Sequence, residues 1–222
     1  MLAHRPAPLR YRRSRRSLTA AAYLPARRSL RSLRDAAAGC RGCDLYKYAT
    51  QTVFGEGRSR AGMLLVGEQP GDYEDREGHP FVGPAGKLLH RALGEAGIEA
   101  RDIYVTNAVK HFKFVERGKR RIHAKPKTLE IRACKPWLDA EISVVRPKLI
   151  VALGATAAQS LLGPGFRLLA NRGRIIPEIL PTPVLATIHP SAILRSPDAK
   201  TRHAEMSKFV EDLSTARHAL SC

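Results

Sequence analysis

Four short apolar runs punctuate the chain: Met63-Leu-Leu-Val66, Ile103-Tyr-Val-Thr106, Leu149-Ile-Val-Ala-Leu153 and Val184-Leu-Ala-Thr-Ile188. Each is too short for a helix, partly β-branched and unbroken by polar positions, the pattern of a strand buried on both faces. Helical spacing of apolar residues over 86–96, 129–145, 155–162 and 204–218 separates or follows these runs. Alternation of this kind predicts a three-layer α/β/α domain around a central four-stranded parallel sheet. A further helical segment, with Leu30, Leu33 and Ala37, runs into Gly39-Cys-Arg-Gly-Cys43.

Open parallel sheets bind ligands beyond the carboxyl ends of their strands. The four segments that follow the predicted strands carry Gly67-Glu-Gln-Pro-Gly71, Asn107 with Lys110 and His111, Gly154-Ala-Thr156, and His189-Pro-Ser191. Candidate chemistry is therefore sought there.

A chain of 222 residues supports one sizeable core. No stretch is long and apolar enough for a membrane span, and none has the form of a secretory signal, so a membrane partner is not expected. The formal net charge of +18 suits a polyanion. Ten Arg and no acid fall within residues 1–34, yet the remainder is still net basic. Residues 1–28 are expected to form a basic, disordered tail and residues 29–222 the folded domain. The stretch Arg10-Tyr-Arg-Arg-Ser-Arg-Arg-Ser17 reads as a nucleic-acid arm, a transit-like peptide or a plain extension, and composition does not choose among them. A bacterial chain of this kind belongs in the cytoplasm with the nucleoid; organellar targeting by the basic N-terminus stays open. Nothing in the pattern signals an oligomer, so a monomer is expected.

Four cysteines occur, Cys40, Cys43, Cys134 and Cys222. A C-x-x-C pair without a secretory signal favours metal or redox chemistry over disulfides. Cys222, at the terminus, is expected to be a bystander. His111 is the candidate fourth donor, with an ordinary surface histidine as the alternative, and spacing alone does not separate zinc from iron.

Together, Gly67-Glu-Gln-Pro-Gly71, Pro80-Phe-Val-Gly-Pro-Ala-Gly86, Asn107-Ala-Val-Lys-His111, Lys119-Arg-Arg-Ile-His123 and His189-Pro-Ser191 resemble the iron–sulfur uracil-DNA glycosylases, and within them the UdgX type. The resemblance spans about residues 29–213. It implies a uracil-DNA glycosylase-like fold and a 4Fe-4S cluster held by Cys40, Cys43, His111 and Cys134. His111 stands where the wider family has cysteine, a departure the UdgX type shares. A second departure is the insertion bearing Lys119, Arg120, Arg121 and His123. By itself this basic run reads as a phosphate-contacting loop; the resemblance makes His123 the group that attacks the sugar.

The substrate implied is uracil-containing DNA, single- or double-stranded, with the base extruded for reaction. Phe81 is expected to stack on uracil, and Asn107 to read its edge by donating and accepting. His189 is expected to donate toward the uracil O2 region, where negative charge develops. Glu68 is assigned to stabilising the sugar cation and orienting His123, and Gln69 to the base or a held water. Gly67, Gly71, Ser191 and Arg195 complete the substrate site, with Lys119, Arg120 and Arg121 as a DNA-contacting loop. Each has a plainer reading: Phe81 as core, Asn107 as a turn residue, His189 as a cap, Arg195 as a phosphate contact. Glu68 and Gln69 as caps of the next helix fit less well, because that helix is expected to begin only near Gly83. A turnover glycosylase releasing an abasic site, and a non-catalytic DNA-binding domain with a structural metal, are the competing functions.

Overall fold

A computed structural model describes residues 19–177 and 181–221; the basic segment 10–17 and Cys222 lie outside them. The packed chain starts ahead of the expected boundary at residue 29. A single turn, Ala20–Tyr23, buries Ala20 completely. Helix α1 (Leu30–Ala37) follows, capped by Ser29, whose hydroxyl accepts the Ser32 N–H.

Next come β1 (Glu56–Gly57), β2 (Met63–Gly67), α2 (Asp72–Glu77), α3 (Pro84–Glu95) and β3 (Ile103–Asn107). A hairpin of β4 (Phe114–Arg117) and β5 (Arg120–His123) leads to α4 (Thr128–Val145), β6 (Leu149–Leu153), α5 (Ala155–Leu162) and α6 (Leu168–Asn171). The chain ends with β7 (Ile175–Ile176), β8 (Val184–Thr187), α7 (Pro190–Leu194) and α8 (Ala199–Ser221).

Strand order is β1-β3-β2-β6-β8-β7. The four inner strands are the expected parallel set. The sheet is nevertheless six-stranded, because β1 and β7 add antiparallel edges. Two residues each, they leave no hydropathy pattern, and such short strands suit an edge that must not recruit partners. Alternation along β2 sends Met63 and Leu65 to the layer of α3 and α8, and Leu64 and Val66 to that of α4 and α5. A third apolar cluster joins α1 to α4 through Leu33, Cys40, Phe54, Cys134 and Trp137.

Helix α8 starts earlier than its apolar spacing implies, since Asp198 accepts the Thr201 N–H at 2.7 Å and caps a polar first turn. Helix α2 was not expected. Its sequence, Asp-Tyr-Glu-Asp-Arg-Glu, is charged at every position but Tyr73 and carries no apolar stripe. No described helix is long and apolar enough to cross a membrane.

Candidate active site

Strand β2 pairs with β3 on one side and β6 on the other, and β6 continues to β8, so the chain's direction across the sheet reverses between β2 and β6. The crevice beyond the carboxyl ends of these two strands is where the topology places a ligand. A cavity of about 730 Å³ opens there, walled by Glu68, Phe81, Asn107, His123, Thr156 and His189. Gln69, Gly71, Ser191 and Arg195 also reach its wall.

At its centre, His123 Nε2 lies 3.2 Å from Glu68 Oε1, while the Thr156 hydroxyl donates to Glu68 Oε2. Burial pushes the Glu68 carboxyl up, but hydrogen bonds from His123 and Thr156 and the nearby imidazoles outweigh it and hold the group below the usual carboxylate range. Glu68 is thus an anion at neutral pH. Thr156, in the segment after the third predicted strand, was given no role from the sequence. Its partner is distant in the chain, and no local pattern announces the contact.

His189 precedes α7, and its Nδ1 accepts the backbone N–H of Ser191 at 3.1 Å. That bond fixes the tautomer: Nδ1 holds the lone pair and Nε2 the proton. Burial and Arg195 lower its pKa to about 4 against the pull of Glu68. A neutral ring with a donor is the result. The capping alternative is also present in this residue, since the same Nδ1 caps α7.

Phe81 and His189 present near-parallel rings, 27° apart with centroids at 6.4 Å. Gly67 gives Phe81 and Asn107 their room, because a Cβ there would stand 2.2 Å from Asn107 Oδ1 and 2.9 Å from Phe81 Cζ. Behind Asn107, the ammonium of Lys110 donates to the Asn107 carbonyl at 2.7 Å, to Thr106 Oγ1 at 2.6 Å and to Glu141. Lys110 and Glu141 are 1% and 0% exposed, a fully buried ion pair that the sequence did not reveal.

The basic insertion is a β-hairpin rather than a loop, turned at Gly118 (φ +58°) and Lys119. Alternation places Arg121 and His123 on one side and Arg120 and Ile122 on the other. Arg121 therefore faces the protein: it meets Asp72 Oδ1 at 2.5 Å and Asp75 Oδ2 at 2.7 Å, and lies over the Phe112 and Phe114 rings. Its guanidinium docks the hairpin on α2 and is not free for DNA, whereas Lys119 and Arg120 are exposed. Gln69 holds the hairpin's base, donating to the carbonyls of Lys113 (3.0 Å) and Ala124 (3.1 Å) and accepting the Lys113 N–H. Both hydrogens of its amide are thereby taken up by the hairpin, while the residue still reaches the cavity wall. Neither Glu68 nor Gln69 caps α2, although that helix starts well before Gly83; Glu74 supplies the cap.

Residues 54–214 match the family model of the Uracil DNA glycosylase superfamily. The chain belongs to that superfamily. Among similar proteins, the Type-4 uracil-DNA glycosylase of Sulfurisphaera tokodaii is 35% identical over 84% of this chain and 85% of its own length. Type-4 enzymes of Pyrobaculum aerophilum and Thermotoga maritima are 33% and 37% identical, over 83% and 80% of this chain and 91% and 88% of theirs.

In this superfamily member, Cys40 and Cys134 lie in the α1–α4 apolar cluster and Cys43 packs against it. Among the described residues no three His, Cys, Asp or Glu side chains stand in closed metal-binding geometry. The donor chemistry nevertheless fits a thiolate-bound group. Burial pushes the Cys134 thiol up to about 12, with Cys43 and Cys40 adding to the rise and Lys110 opposing it. A buried thiol such as Cys134 stays protonated unless a cation takes its charge. Thr52 Oγ1 donates to the Ala37 carbonyl (3.0 Å) and so accepts from His111 Nε2 (2.9 Å), which leaves the His111 Nδ1 lone pair available. The Trp137 indole N–H, one turn after Cys134, is buried and meets no acceptor among the described residues.

Proposed function

We propose that this protein excises uracil from DNA and that His123 then bonds to the sugar C1′, leaving a DNA–protein crosslink. Superfamily membership and the Type-4 relatives support the glycosylase step. The observation that carries the crosslink is the 3.2 Å approach of His123 to Glu68 at the cavity wall.

A flipped nucleotide places its base against Phe81, with the Asn107 amide on the edge that distinguishes uracil from cytosine. As the C1′–N1 bond lengthens, its electron pair goes to uracil, and the Nε2–H of His189 meets the growing charge on the base. Glu68 faces the complementary positive charge at the sugar. A ring nitrogen of His123, held there by Gln69 and Arg121 through the hairpin, gives its lone pair to C1′ ahead of solvent, because a fixed nucleophile has a large effective concentration. The imidazolium that results lies beside the Glu68 carboxylate, which accepts its charge. Arg195, exposed at the rim, and Ser191 serve the DNA backbone, and Lys119 and Arg120 extend that contact.

Cys40, Cys43, His111 and Cys134 are assigned to a 4Fe-4S cluster. Such a group ties the segment before β1 to α4 and so contributes to folding. The protein is taken to act on DNA as a monomer.

Mixing the protein with a uracil-containing oligonucleotide and boiling the product in denaturant tests the reading. A one-to-one adduct that survives is expected. Uracil release with many turnovers and no adduct would instead mark an ordinary glycosylase, and absence of release a DNA-binding module.

A further inference from the structure

Glu74 takes no part in the chemistry above, yet it lines the cavity at 8% exposure and forms no ion pair among the described residues. A buried carboxylate without a cation must find its compensation in N–H donors. Oε2 accepts the Gly71 N–H at 3.0 Å and Oε1 accepts the Gly83 N–H at 2.8 Å. Gly71 is the N-cap of α2 and Gly83 that of α3. Neither has a side chain to serve the free N–H groups of its helix, so one carboxylate sits at two helix starts, where both dipoles favour it.

The two glycines also end the two segments that form one wall of the cavity, Gly67–Gly71 with Glu68 and Pro80–Gly83 with Phe81. Phe81 adopts φ +58°, a left-handed conformation that is strained for a residue with a Cβ. Its carbonyl is pressed so closely on α3 that a Cβ at Gly86 would fall 1.8 Å away. Backbone of this kind persists only where its surroundings over-determine it.

We propose that Glu74 is the positioning residue for the base-stacking ring: by bridging Gly71 and Gly83 it holds Phe81 in its strained conformation, in fixed relation to the Glu68 segment. The proposal rests on the reading of the cavity as a uracil pocket in which Phe81 stacks on the base. A carboxylate is required because both N–H groups need an acceptor oxygen. A carboxamide has one and turns an NH₂ group toward the other, while aspartate is a methylene too short to span both.

The test is single-turnover uracil release by Glu74→Gln, Phe81→Leu and the double variant, with circular dichroism confirming the fold. Each single variant is expected to slow release by about tenfold, the scale of one lost charge-assisted hydrogen bond or stacking contact. The double variant is expected to be no slower than the slower single, since both changes remove the same stacked ring. A roughly hundredfold loss in the double variant, the product of independent effects, would overturn the proposal. So would a Glu74→Gln protein as fast as wild type. If Phe81→Leu alone has no effect, the stacking reading fails and the proposal with it. Should Glu74→Gln not fold, Glu74→Asp, which keeps the charge but not the span, enters the same cycle with the same expected outcomes.

Discussion

His123 Nε2 and Glu68 Oε1 meet at 3.2 Å, the first carried by a hairpin inserted after β3 and the second by the turn that ends β2. The contact brings a potential nucleophile and a carboxylate to the same point of the cavity wall. Glu68 is kept ionised by His123 and Thr156 despite its burial. In the function proposed above, the anion stabilises the developing sugar cation and the imidazole captures it.

The environment of His189 makes a pH-dependent prediction. Its pKa falls from an ordinary 6.5 to about 4 on folding, chiefly through burial. The unfolded chain therefore binds this proton first as pH drops, so stability is fully present above about pH 6.5 and declines toward pH 4. Replacing His189 with Asn should reduce the loss of urea resistance between pH 7 and pH 4.5. An unchanged loss would contradict the neutral-donor assignment. His189→Ala should also slow uracil release by about 10²–10³, the scale of one lost donor to a developing anion.

Arg121 supplies a separable prediction, because it acts on the hairpin and not on the base. Arg121→Ala removes the links to Asp72 and Asp75 and frees β5 to move. Adduct formation should fall by tenfold or more, as a displaced nucleophile loses its effective concentration, while uracil release stays within a few-fold of wild type. Rapid-quench time courses of both products check this; equal slowing of the two would show that Arg121 serves binding instead.

The Lys110–Glu141 pair predicts an asymmetry in stability. Lys110→Met strands a buried carboxylate and should cost about 3–5 kcal/mol in urea denaturation. Adding Glu141→Leu should restore most of that loss, since the desolvated charge is then gone. A double variant as unstable as the single would mean that Glu141's bonds to Tyr104 (2.9 Å) and Gly55 (3.2 Å), rather than its charge balance, hold the region together.

For the metal centre, the purified protein should be brown and contain iron and sulfide. Cys134→Ser should lower the iron content and the melting temperature, whereas Cys222→Ser should change neither. Stoichiometric zinc without sulfide would contradict the cluster.

The inner sheet was legible because unbroken apolar runs give the strands; the turns after them marked the segments that carry Glu68, Asn107 and His189, and the family resemblance supplied the roles of these residues. Helix α2 was missed because its six residues have no apolar face, and with it the acids that bind Arg121. Without Asp72 and Asp75 in view, Arg121 looks like its exposed neighbours Lys119 and Arg120. Alternation along β5 was the available signal, and a basic run conceals it. Thr156, Glu74 and the Lys110–Glu141 pair act through partners distant in sequence or through glycine backbone, which a single chain's pattern does not display.

Replacing His123 with Ser separates bond breaking from capture, with adduct and free uracil measured in the same reaction on a uracil-containing oligonucleotide. Phe81, Asn107, His189 and Glu68 remain, so bond breaking should continue, and water enters where the imidazole stood. The heat-stable adduct should disappear while uracil is still released, leaving an alkali-labile abasic site. A His123→Ser protein that crosslinks as fast as wild type would contradict capture by His123.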